Sequence, residues 1–263
     1  MQSFRIETAD FSISVASHSV GALELVHRHL LPWLPRVRGP QGGADINIVV
    51  GVAPPGDRFT VEVNGGLLTA SETMPNLFTV IQQAADAAMI RRLNRETALH
   101  AGCIVYRGRA IVMPGGSGSG KSSLVLELLR QGAEYCSDEY AIVDRQGFVV
   151  PYPRALMIRG GDQQQHPVLA SAVQAKVCER QAPVSLFMFL RYEPGADGLD
   201  VRPLDRSQSL MLLLQNTPQV MAENLSVLDP LKAAVSSAVS YEGVRGEASG
   251  VAAEILHLAA SVG

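Results

Sequence analysis

Gly115-Gly116-Ser117-Gly118-Ser119-Gly120-Lys121-Ser122 fits the pattern G-x-x-x-x-G-K-[ST] of a phosphate-binding loop. Its flanks complete the pattern. Ahead of it, Ala110-Ile111-Val112-Met113 is a short apolar run that predicts a buried strand. Behind it, Ser123-Leu124-Val125-Leu126-Glu127-Leu128-Leu129-Arg130 predicts a helix, stopped by Gly132. Strand, glycine loop and helix is the order that phosphate binding needs. Glycines let successive backbone N–H groups turn inward, and the helix N-terminus adds partial positive charge. Lys121 then reaches β- and γ-phosphates, and the Ser122 hydroxyl ligates Mg²⁺. The expected nucleotide contacts are Gly115, Gly116, Ser117, Gly118, Ser119, Gly120, Lys121, Ser122 and Ser123.

Around this loop lies a chain of 263 residues, enough for one large domain or a small domain joined to a larger one. An apolar fraction of 47% against 18% charged residues describes a soluble globular protein rather than a disordered one. A net charge of −3 supplies no basic field for nucleic acid or an anionic membrane. No apolar run reaches transmembrane length. The first residues, Met1-Gln2-Ser3-Phe4-Arg5-Ile6-Glu7, alternate like a strand and do not read as a signal peptide. Cys103, Cys136 and Cys178 are an odd, scattered set without C-x-x-C spacing, which argues against a disulfide framework or a zinc site. Cytoplasm is therefore the expected location.

Upstream of the loop, residues 4–15 alternate as a hairpin broken at Ala9-Asp10. Residues 21–34 carry a helical face, residues 35–43 a loop, Ile46 to Val50 a strand, and Pro54-Pro55-Gly56-Asp57 a turn. Phe59 to Val63 and Leu67-Leu68 flank Asn64-Gly65-Gly66 as a second hairpin. His27 and His29 stand two apart, on different sides of a helix, and suit a surface rather than a metal. Residues 75–95 form the longest helical pattern of this half, with Arg91, Arg92 and Arg95 at the end that favours cations. Leu99 to Tyr106 is a strand turned by Arg107-Gly108-Arg109 into the strand that feeds the loop. That hairpin sets His100 near the loop.

Downstream, Ala133 to Cys136 reads as a strand ending at Ser137-Asp138-Glu139. Tyr140 to Asp144 and Phe148 to Val150 form a hairpin, and residues 160–181 an irregular polar surface connection. Val184 to Leu190 is a buried strand. Asp205 caps a helix over 206–214, residues 220–239 are helical in two pieces broken at Asp229-Pro230, Tyr241 to Val244 is a strand, and residues 249–260 a closing helix. A phosphate loop specifies nucleotide but not reaction. The reaction needs an acid at a neighbouring strand end, to hold Mg²⁺ or take a proton. Asp138 and Glu139 sit where a strand exits, and paired acids repel unless a cation is near. Asp144 follows Ala141-Ile142-Val143 and is the rival, ranked lower because it opens a turn.

Leu99-His100-Ala101-Gly102, the loop, Arg130-Gln131-Gly132 and Ser137-Asp138-Glu139 together resemble the HPr kinase/phosphorylase family, over roughly residues 98–215. Val201-Arg202-Pro203-Leu204-Asp205-Arg206 is similar to a later segment of that family. The resemblance implies an α/β P-loop kinase domain of the HPr kinase/phosphoenolpyruvate-carboxykinase-like type over 97–263; the strand and helix pattern upstream predicts a small N-terminal β-rich α+β domain over 1–96, which does not look like the family's regulatory domain. It implies catalytic roles for His100, Lys121, Asp138 and Glu139, metal ligation by Ser122 and Asp138, and charge stabilisation by Arg159 and Arg206. It leaves open which of Asp138 and Glu139 is the base. The chain departs from the family at Glu139, where the family has Asp, and at Met157, where the family has a metal-binding Glu before Ile158-Arg159-Gly160.

These readings lead to an ATP- and Mg²⁺-dependent kinase acting on a serine hydroxyl of a protein or peptide, with a biosynthetic precursor peptide and a homo-oligomer implied by resemblance. The alternatives are a small-molecule kinase and a nucleotide-responsive binding module without turnover. No Leu-Ser-Gly-Gly signature of a transporter-type ATPase and no Asn-Lys-x-Asp motif of a GTPase is present.

Overall fold

The computed structural model describes residues 1–7, 12–21, 23–24, 37–38, 46–53, 58–71, 79, 82–83, 86–87, 89–91, 93–160, 165–222 and 225–262. The chain divides into two compact units, Met1–Arg92 and Leu93–Gly263.

The first unit is a six-stranded sheet in the order β3-β1-β2-β4-β5-β6. Its strands are β1 (Gln2–Glu7), β2 (Ser12–Ser17), β3 (Val37–Arg38), β4 (Ile46–Ala53), β5 (Arg58–Val63) and β6 (Gly66–Ser71). All neighbours are antiparallel except β2 and β4, which run parallel. Alternation along β4 and β5 buries Ile48, Val50 and Val61 and turns Asn47 and Glu62 outward. Both expected hairpins are present. β3 lies inside the stretch expected as a loop, too short for a periodic signal. Within the expected helix 75–95, residues 82–83, 86–87 and 89–91 are helical, but 93–96 are not, so the helix stops before Arg95. The turn at 54–57 and most of the helix expected over 21–34, with His27 and His29, lie outside the described residues.

The second unit is a mixed α/β body around an eight-stranded sheet that includes β9 (Glu134–Ser137), β10 (Tyr140–Val143), β11 (Phe148–Val150) and β15 (Leu199–Pro203), in the order β11-β10-β7-β8-β14-β16-β15, with β9 also paired to β7 and β11 also paired to β14. Its central strands are β7 (Thr97–Tyr106), β8 (Arg109–Pro114), β14 (Ala182–Tyr192) and β16 (Val239–Arg245). β8, β14 and β16 run parallel, so the ends of β14 and β16 lie on the edge where β8 delivers its glycine loop. Ligands of such sheets bind at this carboxyl edge. Ala110, Ile111, Val112 and Met113 are all buried, the continuous apolar run that a strand covered on both faces requires.

Helix α1 (Lys121–Arg130) follows the loop and buries Leu124, Val125, Leu126, Leu128 and Leu129. It shares a core with Ile104 of β7 and with Val251, Ala252, Ile255 and Leu256 of a closing helix, Ala248–Ser261. Leu99, Ala101, Cys103 and Val105 point to the other face, where they meet Leu213, Leu231 and Val235. All three cysteines join this second core as free thiols. They are scattered in sequence but close in space, because β7 and β9 (Glu134–Ser137) are neighbours and the Cys178 N–H bonds the Tyr135 carbonyl at 2.8 Å. Hydrogen bonding with the Cys103 thiol, together with burial, pushes the Cys136 thiol up.

Gly102 lets α1 lie close on β7: a Cβ there would sit 2.7 Å from Val125 Cγ2 and 3.8 Å from Lys121 Cβ. Gly102→Ala is therefore expected to cost about 1–3 kcal/mol by overpacking, read as a lower midpoint in urea unfolding; an unchanged midpoint would show that the helix moves freely.

The helix after Asp205 spans Arg206–Gln215 and opens with a capping box between Asp205 and Gln208. The break expected at Asp229-Pro230 is absent. The helix runs Leu228–Ser237 and takes Pro230 in its first turn, where the missing N–H has no intrahelical partner to lose. Two 3₁₀ turns, Pro218–Ala222 and Leu225–Val227, precede it. The stretch 160–181, expected to be irregular, contains β13 (Gln165–Val168), paired with β12 (Leu156–Arg159), and a 3₁₀ turn at Ala170–Val173.

Candidate functional site

Two chain reversals meet over one face of β7. The first is the loop between β8 and α1. The Gly115 N–H bonds the His100 carbonyl at 3.1 Å, which anchors the loop's start to β7. The Ser119 N–H bonds the Gly116 carbonyl at 3.3 Å, closing the turn. Gly118 and Gly120 adopt φ of 83° and 79°, values that only glycine reaches without strain. Gly116, Ser117 and Gly118 are exposed, and the loop opens to solvent. Ser123 is exposed at the start of α1.

The second reversal is Asp138-Glu139, between β9 and β10 (Tyr140–Val143). Both strands pair with β7: Cys103 lies opposite Ser137, and His100 opposite Tyr140. The two acids therefore span the stretch of β7 between those anchors, beside Gly102, and the Ala101 N–H bonds the Glu139 carbonyl at 3.1 Å. The Ser137 hydroxyl closes the reversal on the Tyr140 carbonyl at 2.5 Å.

His100, Lys121, Ser122, Asp138 and Glu139 converge there. Lys121 Nζ donates to the Gly115 and Gly116 carbonyls at 2.7 and 2.9 Å and lies 3.4 Å from His100 Nε2. Burial lowers its proton affinity, against the opposing pull of the Glu139 and Asp138 charges. His100 Nε2 also lies 3.1 Å from Glu139 Oε1. Burial on its own would raise the Glu139 carboxyl. The bond with His100 and the charges of Arg154, His100 and Lys121 together outweigh it and hold the group below its ordinary value.

Asp138 behaves differently. It is only 3% exposed, and burial pushes its carboxyl up to about 6 against the bond with the Ser122 hydroxyl and the charge of Arg154. Its Oδ1 is buried without a hydrogen-bond partner, and so is the Ser119 hydroxyl in the loop. Orphaned buried oxygens are rare enough to demand a reason, and an absent ion or ligand is one. Mg²⁺ takes oxygen ligands and is held by one or two carboxylates together with substrate phosphates and water. Ser122 and Asp138 offer that donor set, with Oδ1 the uncommitted atom. Among the described residues, no group of three or more His, Cys, Asp and Glu side chains is arranged for a metal.

Asp144 accepts from the Gln146 and Phe148 N–H groups, both at 2.9 Å, and organises the turn after β10. Arg159 is exposed at the end of β12, and Arg206 donates to the Ser236 carbonyl at 3.1 Å. Two other arginines are near the site. Arg154 is 6% exposed and acts on both acids. Arg245, 3% exposed, donates to the Gly120 carbonyl at 2.9 Å. Neither belongs to a motif.

No protein-family model matches this chain, and no curated protein matches it. Among solved structures, the Hpr(Ser) kinase/phosphatase from Coxiella burnetii is similar at 21% identity, over 41% of this chain and 76% of that one, with a TM-score of 0.30. No described helix is long and apolar enough to cross a membrane.

Proposed function

We propose that the chain is an ATP-dependent kinase that transfers the γ-phosphoryl group to a serine hydroxyl of a protein or peptide. One observation carries the reading: Asp138 is a buried aspartate with an oxygen that has no hydrogen-bond partner, and its carboxyl feels the Ser122 hydroxyl at the head of α1 and the charge of the loop lysine, Lys121. That is the equipment of phosphoryl transfer, in which positioning and charge do most of the work. Backbone N–H groups of residues 115–123 and Lys121 grip the phosphates. Ser122 and Asp138 hold Mg²⁺, which neutralises charge on the phosphate oxygens when bound.

Asp138 takes the proton. Glu139 is already engaged by His100, which leaves Asp138 as the carboxylate placed to accept it. The serine oxygen forms a bond to the γ-phosphorus as the bond from that phosphorus to the β–γ bridging oxygen breaks. The hydroxyl proton passes to the Asp138 carboxylate, leaving ADP and a phosphoserine. The acceptor is a serine of a protein or peptide by the motif resemblance, and a small-molecule hydroxyl would fit the same chemistry. Location in the cytoplasm and assembly into a homo-oligomer belong to the same proposal.

Incubation with γ-³²P-ATP, Mg²⁺ and serine-containing peptides or small alcohols tests this. Label is expected on a serine. Tight MgATP binding with no label on any acceptor would favour the binding module instead.

A further inference from the structure

One charged group at the carboxyl edge has no part in the transfer scheme. Arg245 ends β16, and its Cα partner in the parallel pairing is Tyr192, the last residue of β14. Its guanidinium donates through Nη2 to the Gly120 carbonyl at 2.9 Å, lies 3.5 Å from the Ser119 carbonyl, and donates through Nη1 to the Gly246 carbonyl at 2.8 Å. The cation sits over the Tyr192 ring, 5.1 Å from its centroid, and the Tyr192 hydroxyl donates to Glu247 Oε1 at 2.5 Å. These partners are neutral carbonyls and a ring. Among the described residues, no carboxylate is ion-paired with Arg245. The Glu247 carboxylate, tied to the Tyr192 hydroxyl, acts on the cation through its charge and offsets part of the cost of burying it.

The peptide geometry says what the cation does there. In a trans peptide, C=O and the following N–H share a plane and point in opposite directions. Fixing the Ser119 and Gly120 carbonyls therefore also fixes the N–H groups of Gly120 and Lys121. The Gly120 carbonyl also accepts from the Leu124 N–H at 3.1 Å, the first bond of α1. It is thus held from two sides, and the Lys121 N–H aims out of the helix start. Gly120 and Arg245 are matched in shape: a Cβ on Gly120 would lie 2.4 Å from Nη2.

We infer that Arg245 is the positioning residue of the phosphate loop. It locks the peptides of residues 119–121 so that their N–H groups face the triphosphate, and its positive charge stands behind them. Tyr192, tethered by Glu247, holds the guanidinium in line. This rests on the nucleotide-binding part of the kinase reading.

The test is calorimetric titration of the full chain with MgATP, alongside apo melting curves, for wild type, Arg245→Gln, Arg245→Lys and Tyr192→Phe. Charge-assisted donors of this kind put the expected loss in Arg245→Gln at roughly 10- to 100-fold in affinity. Arg245→Lys keeps the charge but not the fork that reaches several carbonyls, and should recover part of the loss. A residue that only buttressed the fold would show no such rescue. Tyr192→Phe, which keeps the ring and is the milder change if Arg245→Gln fails to fold, should weaken binding a few-fold. MgATP affinities equal to wild type in folded Arg245→Gln, Arg245→Lys and Tyr192→Phe overturn this inference alone. Wild-type protein that binds no MgATP overturns the kinase reading and this inference with it.

Discussion

Asp138→Asn is expected to do two things at once: slow phosphoryl transfer by roughly 10²- to 10⁴-fold, and raise the melting temperature of the Mg²⁺-free protein at pH 8. The first follows from removing the proton acceptor and one donor to the cation. The second follows from its titration. The folded carboxyl sits at about 6, against an ordinary 3.8, because burial disfavours the charged form. A group raised on folding contributes stability that is fully present below the unfolded value and is lost as pH rises through the folded one. Above about pH 6 the native state therefore carries a buried carboxylate at a cost of up to about 3 kcal/mol. Asparagine keeps an oxygen for the Ser122 hydroxyl and removes that charge. The gain in melting temperature should fade as the pH falls towards 4, where Asp138 is protonated in the folded protein. An Asp138→Asn protein that transfers phosphate at the wild-type rate, or melts lower than wild type at pH 8, contradicts this account of Asp138.

Lys121→Ala is expected to be the most damaging change to nucleotide handling. Removing one preorganised charge from a transferring phosphoryl group costs on the order of 10²–10³ in rate, and ATP binding should weaken with it. Nζ lies on the Gly115 and Gly116 carbonyls, over the loop it would serve. Steady-state turnover and MgATP titration of the variant check both effects. Folding should be spared, since the lysine is half-buried and its bonds go to an open loop. Wild-type turnover in Lys121→Ala would remove the phosphate role of the loop.

The parts of this site that lie within one contiguous motif could be read from the sequence. The glycine loop, its feeding strand and its helix are local, and each residue's job follows from its neighbours. Asp138 and Glu139 could be placed at a strand end by pattern. What put them beside Lys121, however, is the pairing of β9 and β10 with one strand, β7, around Gly102. That pairing spans more than thirty residues and leaves no periodic trace. Asp144 looked similar in sequence, and only the two N–H groups it accepts reveal a turn residue. Arg154 and Arg245 reach the site through tertiary packing, so nothing at their own positions announced them. Pro230 misled for a simpler reason: a proline breaks a helix in its interior but is tolerated in its first turn, and where that turn began was not encoded in the apolar pattern. The cysteines show the same limit, since spacing along the chain said nothing of three thiols meeting in one core.

The central claim is that a triphosphate rests on the backbone N–H groups of residues 115–123, opposite the Ser122–Asp138 pair. Amide hydrogen exchange with and without MgATP measures this at the groups themselves. The account predicts strong new protection at Ser117 through Ser123, now partly exposed, with smaller protection at Asp138 and Glu139. Exchange in the loop that is unchanged at saturating MgATP, or protection confined to another part of the chain, would contradict it.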